Sequence, residues 1–198
     1  FSLDEMIQAF TFDRVSLGGP VFDLTKLTWL NGVYLREASP AEWLARLRQH
    51  VLSDEYLLKV LPLVKERVDK LEDFISYADF FFTGAVTHDV AALLPKGKTA
   101  PELKKAFEAV LEAWDGIMKW EHDVIDQRMR TLCETIGWKP KELFMPIRVA
   151  VSGKTATPGL FESMQVLGKE ACRRRLKDAI AALAAAPVPA AAPPVAKG

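Results

Sequence analysis

The sequence predicts an all-α chain, a helical bundle of about nine helices, and three observations carry that expectation. Capping residues stand before most apolar segments, apolar residues recur at helical spacing, and strand signals do not recur. The length of 198 residues is enough for one good-sized core or two small ones.

Taken in order, the elements justify themselves locally. Ser2 caps LDEMIQAF, with Asp4 and Glu5 in the first turn, where carboxylates complement the helix dipole. Gly18-Gly19-Pro20 breaks the chain. Asp23 caps LTKLTWLNGVYLRE, in which Leu24, Leu27, Leu30 and Tyr34 share a face. Ser39, Pro40 and Glu42 form a capping box at the start of the next helix. Ser53 opens DEYLLKVLPLVKERV, and Pro62 inside it predicts a kink or a break. LEDFISYADFFF continues helically into Phe80-Phe81-Phe82, a cluster expected to pack in the core.

TGAVTHDVAALLPKGKT reads as a loop with one turn of helix, and a division of the chain is expected there. Thr99-Ala100-Pro101-Glu102 starts ELKKAFEAVLEAW. HDVIDQRMRTLCETIGW, KELFMPIRVAVSG and LFESMQVLGKEACRRRLKDAIAALAA follow as helices, the second ending at Ser152-Gly153 as helices often do. The Ala/Pro tail has nothing to bury and is predicted to be disordered.

Composition excludes several functions. No apolar run approaches the roughly 20 residues needed to cross a bilayer, and the N-terminus is not a secretory signal. Cys133 and Cys172 are two lone cysteines, so a disulfide framework is not expected and a reducing, cytoplasmic home is. His50, His88 and His122 are scattered; no metal site is expected, and Glu121-His122-Asp123 fits an exposed helix face. No phosphate loop, dinucleotide fingerprint or nucleophile–base pair is present, so the chain alone is not expected to catalyse a reaction.

Binding remains. The formal net charge is zero, but residues 1–138 carry −6 and residues 139–185 carry +5. A basic region on an acidic body provides a local footprint for an anion. Within it, MPIRVAVSGKTATPGLF places Arg148 in an apolar helix, close to a Thr-Pro-Gly turn that looks exposed. Two readings stand. Arg148 either snorkels to a nearby acid, or presents its planar fork beside Thr157, Pro158 and Leu160 to a splayed RNA base.

Three segments settle the choice by resemblance. FDLTKLTWLNGVYLRE (Phe22–Glu37), LVKERVDKLEDF (Leu63–Phe74) and MPIRVAVSGKTATPGLFESMQVLGKE (Met145–Glu170) resemble, in order and spacing, the C-terminal half of bacterial glutamyl-tRNA synthetases. The third is the most specific: Pro-x-Arg-x-Ala, then Ser-Gly, Pro-Gly-Leu-Phe and Leu-Gly-Lys-Glu. The resemblance covers about residues 1–184. It implies an α-helix cage that binds the anticodon, preceded by a segment that contacts the tRNA stem. The implied division is 1–38 for the stem-contact segment, 39–98 and 99–184 for two anticodon-binding subdomains, and 185–198 for the tail.

By the same resemblance, Arg67 reads the first anticodon base, Arg148 the middle one, and Thr157, Pro158 and Leu160 line the pocket for the second and third. An arginine at the first-base position implies discrimination between the glutamate and glutamine anticodons. Lys169, Arg173 and Arg174 would meet the RNA backbone more weakly. Met145 stands where some relatives have a polar residue.

The His-x-Gly-His and Lys-Met-Ser-Lys-Ser-like signatures of the family are absent from this sequence, which also lacks an initiator Met. The chain is therefore expected to be a C-terminal fragment of a glutamate–tRNA ligase. Its partners would be tRNA-Glu and the N-terminal catalytic domain of the same polypeptide, in a monomer. ATP and magnesium would be used by that other part. The alternatives are a helical protein-interaction module without RNA binding, and a duplex-DNA binder using Arg173–Arg175.

Overall fold

The computed structural model describes residues 2–12 and 23–185. The predicted break at Gly18-Gly19-Pro20 and the predicted disorder of the tail from 186 onward lie outside the described residues. Among the described residues there are helices and no strands, as expected, and eleven helices rather than nine.

The chain divides into two compact units, Phe1–Leu47 and Arg48–Gly198. In the first, α1 (Leu3–Ala9) starts at a capping box between Ser2 and Glu5, and α2 (Leu24–Glu37) at Asp23, whose carboxylate accepts from Thr25 and Lys26. α3 (Pro40–His50) begins at the predicted Ser39–Glu42 box. The Trp43 indole donates to the Leu35 carbonyl at 2.6 Å and fixes the turn between α2 and α3. None of these three helices contains a buried residue.

The second unit holds both cores. α4 (Asp54–Val64) and α5 (Asp73–Ala78) carry the smaller one: Val60, Val64, Ala78, Phe80 and Phe81. Pro62 neither breaks nor ends α4, which runs two residues further. Its missing N–H forfeits one bond, at the carbonyl of Leu58, an exposed residue. LEDFISYADFFF is not one helix either: α5 gives way to a 3-10 turn over Asp79–Phe81. That tighter turn points Phe80 and Phe81 into the core, where the sequence places them.

The larger core is built by α6 (Val90–Leu93), α7 (Ala100–Asp115), α8 (His122–Ile136), α9 (Pro140–Ser152), α10 (Leu160–Leu167) and α11 (Lys169–Ala185). α11 packs on α7 and α9, α7 on α8, α6 on α9, and α10 on both α8 and α4. Fully buried Phe107, Trp114, Leu143, Ile147 and Leu176 each contribute about 1.5–3 kcal/mol of apolar burial. α10 is thus the element through which the two cores meet, and α9 and α10 flank the turn that carries the candidate site.

Candidate nucleic-acid interface

α9 is buried nearly all round. Leu143, Pro146, Ile147, Val149, Ala150 and Val151 are covered, and Arg148 is half-buried among them. A guanidinium there needs oxygen partners, and the chain after the helix supplies them. Gly153 ends α9 in the left-handed region at φ +72°, where a side chain would also approach the Thr87 carbonyl at 3.1 Å. The reversal it permits brings residues 157 and 158 back over Arg148. Arg148 Nη1 then donates to the Pro158 carbonyl at 2.6 Å, to the Thr157 carbonyl at 3.3 Å, and to the Thr157 hydroxyl.

One nitrogen takes all three bonds. Nε and Nη2 make no hydrogen bond among the described residues, so one edge of the fork is anchored while another is left for an external acceptor. The pairing with an acid is not found among the described residues: oxygens of Thr157 and Pro158 hold the arginine instead, and it still has donors to offer.

Arg67 lies in the segment after α4, its amide donating to Val64 O at 2.9 Å, and its side chain is exposed with no ion pair among the described residues. Arg148 is depressed below the usual arginine range, first by burial and then by the positive charge of Arg67. Glu162 and Tyr77 act the other way. Two guanidiniums close enough to feel each other, neither neutralised by a bonded acid, leave a local positive field that RNA phosphate or base acceptors would relieve.

The α5 side of this site is tied to the α9 side by Lys154. Its ammonium donates to Ser76 O at 2.5 Å and pairs with Asp79 at 2.6 Å. Glu162, at the start of α10, folds its carboxylate over Gly159, filling the space a Cβ would occupy there. It also lies 3.6 Å from His122 Nε2.

The turn differs from its expected exposure. Thr157, Pro158 and Leu160 are buried, and only Thr155 and Ala156 are open. Thr157 gives its hydroxyl to Arg148 and Pro158 its carbonyl, and Leu160 joins the larger core. The structure thus brings Arg67, Arg148, Thr157 and Pro158 into one neighbourhood, with the turn behind the arginine.

The other basic residues have partners in the chain itself. Lys169 Nζ donates to Ile117 O at 2.9 Å and Asp115 O at 3.2 Å, Arg173 pairs with Asp115, and Arg174 Nη2 donates to Gly84 O at 2.9 Å. Arg175 is 1% exposed, so Arg173–Arg175 is not one basic face and cannot lie along a DNA duplex. Lys154 and Tyr77 escaped sequence reasoning, and Arg175 was read as part of a basic run; the signal of its burial is its place beside the apolar stripe Cys172, Leu176, Ala179 and Leu183.

A family model described as an anticodon binding domain matches residues 38–180. The glutamate–tRNA ligase of Marinomonas sp. (strain MWYL1) is 41% identical over 184 residues, covering 91% of this chain and 37% of that protein. That of Stutzerimonas stutzeri (strain A1501) is 33% identical over 186 residues, covering 94% and 38%. Among solved structures, a glutamate tRNA ligase from Elizabethkingia meningosepticum CCUG26117, in complex with its amino acid, superposes with a TM-score of 0.60. The pair is 28% identical, over 92% of this chain and 37% of that one. The chain spans under two fifths of the length of these relatives. On the match over residues 38–180, with the all-α architecture that accompanies it, the chain belongs to the anticodon-binding domain family.

Proposed function

We propose that this chain recognises the anticodon of tRNA-Glu as the RNA-reading part of a glutamate–tRNA ligase. The observation that carries the reading is Arg148, anchored through Nη1 on Thr157 and Pro158 with Nε and Nη2 unspent among the described residues, beside the exposed Arg67. Held this way, the fork offers two parallel donors to the acceptor edge of a splayed base, while Arg67 meets a neighbouring base. Thr157 and Pro158 act from behind, fixing the arginine, with Leu160 anchoring their turn in the core. Glutamate and glutamine anticodons share their first two bases and differ at the third, so Arg67, at the first-base position, does not by itself tell them apart.

Residues 1–38 would contact the tRNA stem, and 39–98 and 99–184 the anticodon arm. Lys169, Arg173 and Arg174 serve the fold first and touch RNA phosphate with whatever donors remain. Activation of glutamate, with ATP and magnesium, belongs to the catalytic part of the same cytoplasmic, monomeric ligase.

The test is a titration of anticodon stem-loops carrying the glutamate anticodon or an unrelated one, at fixed moderate salt. The chain should prefer the glutamate loop, and Arg148→Ala should lose about 1–3 kcal/mol of that preference. Arg67→Ala should relax selectivity at one base only. Equal weak binding to both loops, indifferent to both substitutions, would return the chain to a protein-interaction role.

A further inference from the structure

The most deeply buried cation among the described residues takes no part in the site just described. Arg175, on α11, is 1% exposed and has no carboxylate partner among the described residues. Its oxygens come from two different bodies. Nη1 donates to Val151 O at 2.5 Å, and Nη2 donates to Phe80 O at 2.7 Å and Thr83 O at 2.6 Å. Val151 is in the last turn of α9, three residues beyond Arg148. Phe80 and Thr83 belong to the segment after α5, and Phe80 is part of the smaller core with Val64, three residues before Arg67.

We infer that Arg175 is a positioning residue that sets the spacing between the Arg67-bearing segment and the Arg148-bearing helix. Its planar fork is suited to this because two nitrogens at a fixed separation reach two carbonyl groups on separate elements at once; a lysine ammonium is a single point. A buried cation without an acid is costly, and an apolar side chain beside Cys172 and Leu176 would fill the volume more cheaply. What an apolar side chain would not do is bind three carbonyls together. Tyr56 adds to the same junction by donating to Phe81 O at 2.9 Å. At its edges Arg174 holds Gly84 O, and Lys154 holds Ser76 O and Asp79. The functional meaning of this clamp rests on the anticodon reading proposed above; its geometry does not.

The experiment therefore has two readouts. Nitroxide labels on Leu71→Cys, 93% exposed, and Thr155→Cys, also exposed, report the distance between the two segments in the full chain. Cys133 and Cys172 are buried and stay unlabelled. The distance distribution, and the preference for a glutamate over an unrelated anticodon stem-loop, are measured for the labelled parent, Arg175→Lys and Arg175→Met. The parent should give one narrow distribution. Both variants should broaden or shift it, retain helical circular dichroism, and lose about fivefold or more of the loop preference. An unchanged distribution in folded variants overturns the inference. If both variants unfold, Lys154→Met, partly exposed on the same junction, is judged by the same two readouts. Broadened distances in the variants of a parent that shows no loop preference would uphold the clamp and reject the anticodon reading.

Discussion

A single side chain can be both fixed and available, and Arg148 shows how. Its Nη1 bonds hold the fork on Pro158 and Thr157, while Nε and Nη2 have no hydrogen-bond partner among the described residues. The same neighbourhood contains a residue whose charge depends on pH. His122 opens α8, its Nδ1 lies 2.7 Å from Asp123, and Nε2 lies 3.6 Å from Glu162, which in turn favours the charged form of Arg148. The Asp123 hydrogen bond raises the His122 pKa; partial burial opposes it, and Glu162 and Asp126 add to it. A folded pKa above the unfolded one means the stabilisation is complete below about pH 6.5 and disappears as pH climbs through the folded value. NMR titration should give His122 a higher midpoint than an unstructured histidine. Asp123→Asn should remove more of that elevation than Glu162→Gln; the reverse order would contradict the assigned cause.

At the scale of elements, the helices are local consequences of their caps, and the site depends on how one of them ends. α9 stops because Gly153 adopts φ +72°, and its Cα faces Thr87 O so closely that a Cβ would lie 3.1 Å away. Gly153→Ala should therefore cost about 1–3 kcal/mol, from left-handed backbone and the contact together. Urea unfolding would register a lower midpoint at unchanged slope. A cost near zero would mean that the turn carrying Thr157 and Pro158 is not set by this glycine.

Much of this was readable beforehand. Ser2, Asp23, Ser39 and Thr99 cap helices where the sequence places them, because capping is decided within four residues. Arg67 and Arg148 are singled out by segment resemblance, and the structure places them within reach of each other's charge. What was not legible depends on partners distant in the chain. Arg173-Arg174-Arg175 reads as one basic run until the 3.6-residue period turns position 175 toward carbonyls some 24 and 95 residues away. The Thr157–Leu160 turn reads as exposed because its residue types are those of surface turns, yet Leu160 lies in the core. Pro62 shows the converse: a rule for helix interiors gave way where the one carbonyl left without its partner belongs to an exposed residue, Leu58.

The whole molecule is unevenly built. Among the described residues, every buried one lies between Val60 and Leu183, and α1, α2 and α3 contain none. Both cores, the Arg175 clamp and the Arg67–Arg148 neighbourhood therefore belong to the unit that begins at Arg48. Cooperative stability follows buried apolar area, so removing residues 1–47 should take away little of it. The remaining chain should unfold in one transition, with calorimetric and van't Hoff enthalpies equal and a midpoint within about 2–4 °C of the full chain's, a difference of roughly 1 kcal/mol. Its preference among anticodon loops should survive as well, because none of the residues assigned to reading lies before Arg48. Binding to a longer tRNA should weaken, since stem contacts were assigned to residues 1–38. A loss of cooperativity, or a midpoint far below that of the full chain, would show that the first unit stabilises the cores in a way burial does not record. A truncated chain that melts normally but no longer distinguishes the loops would instead move part of the anticodon reader into residues 1–47.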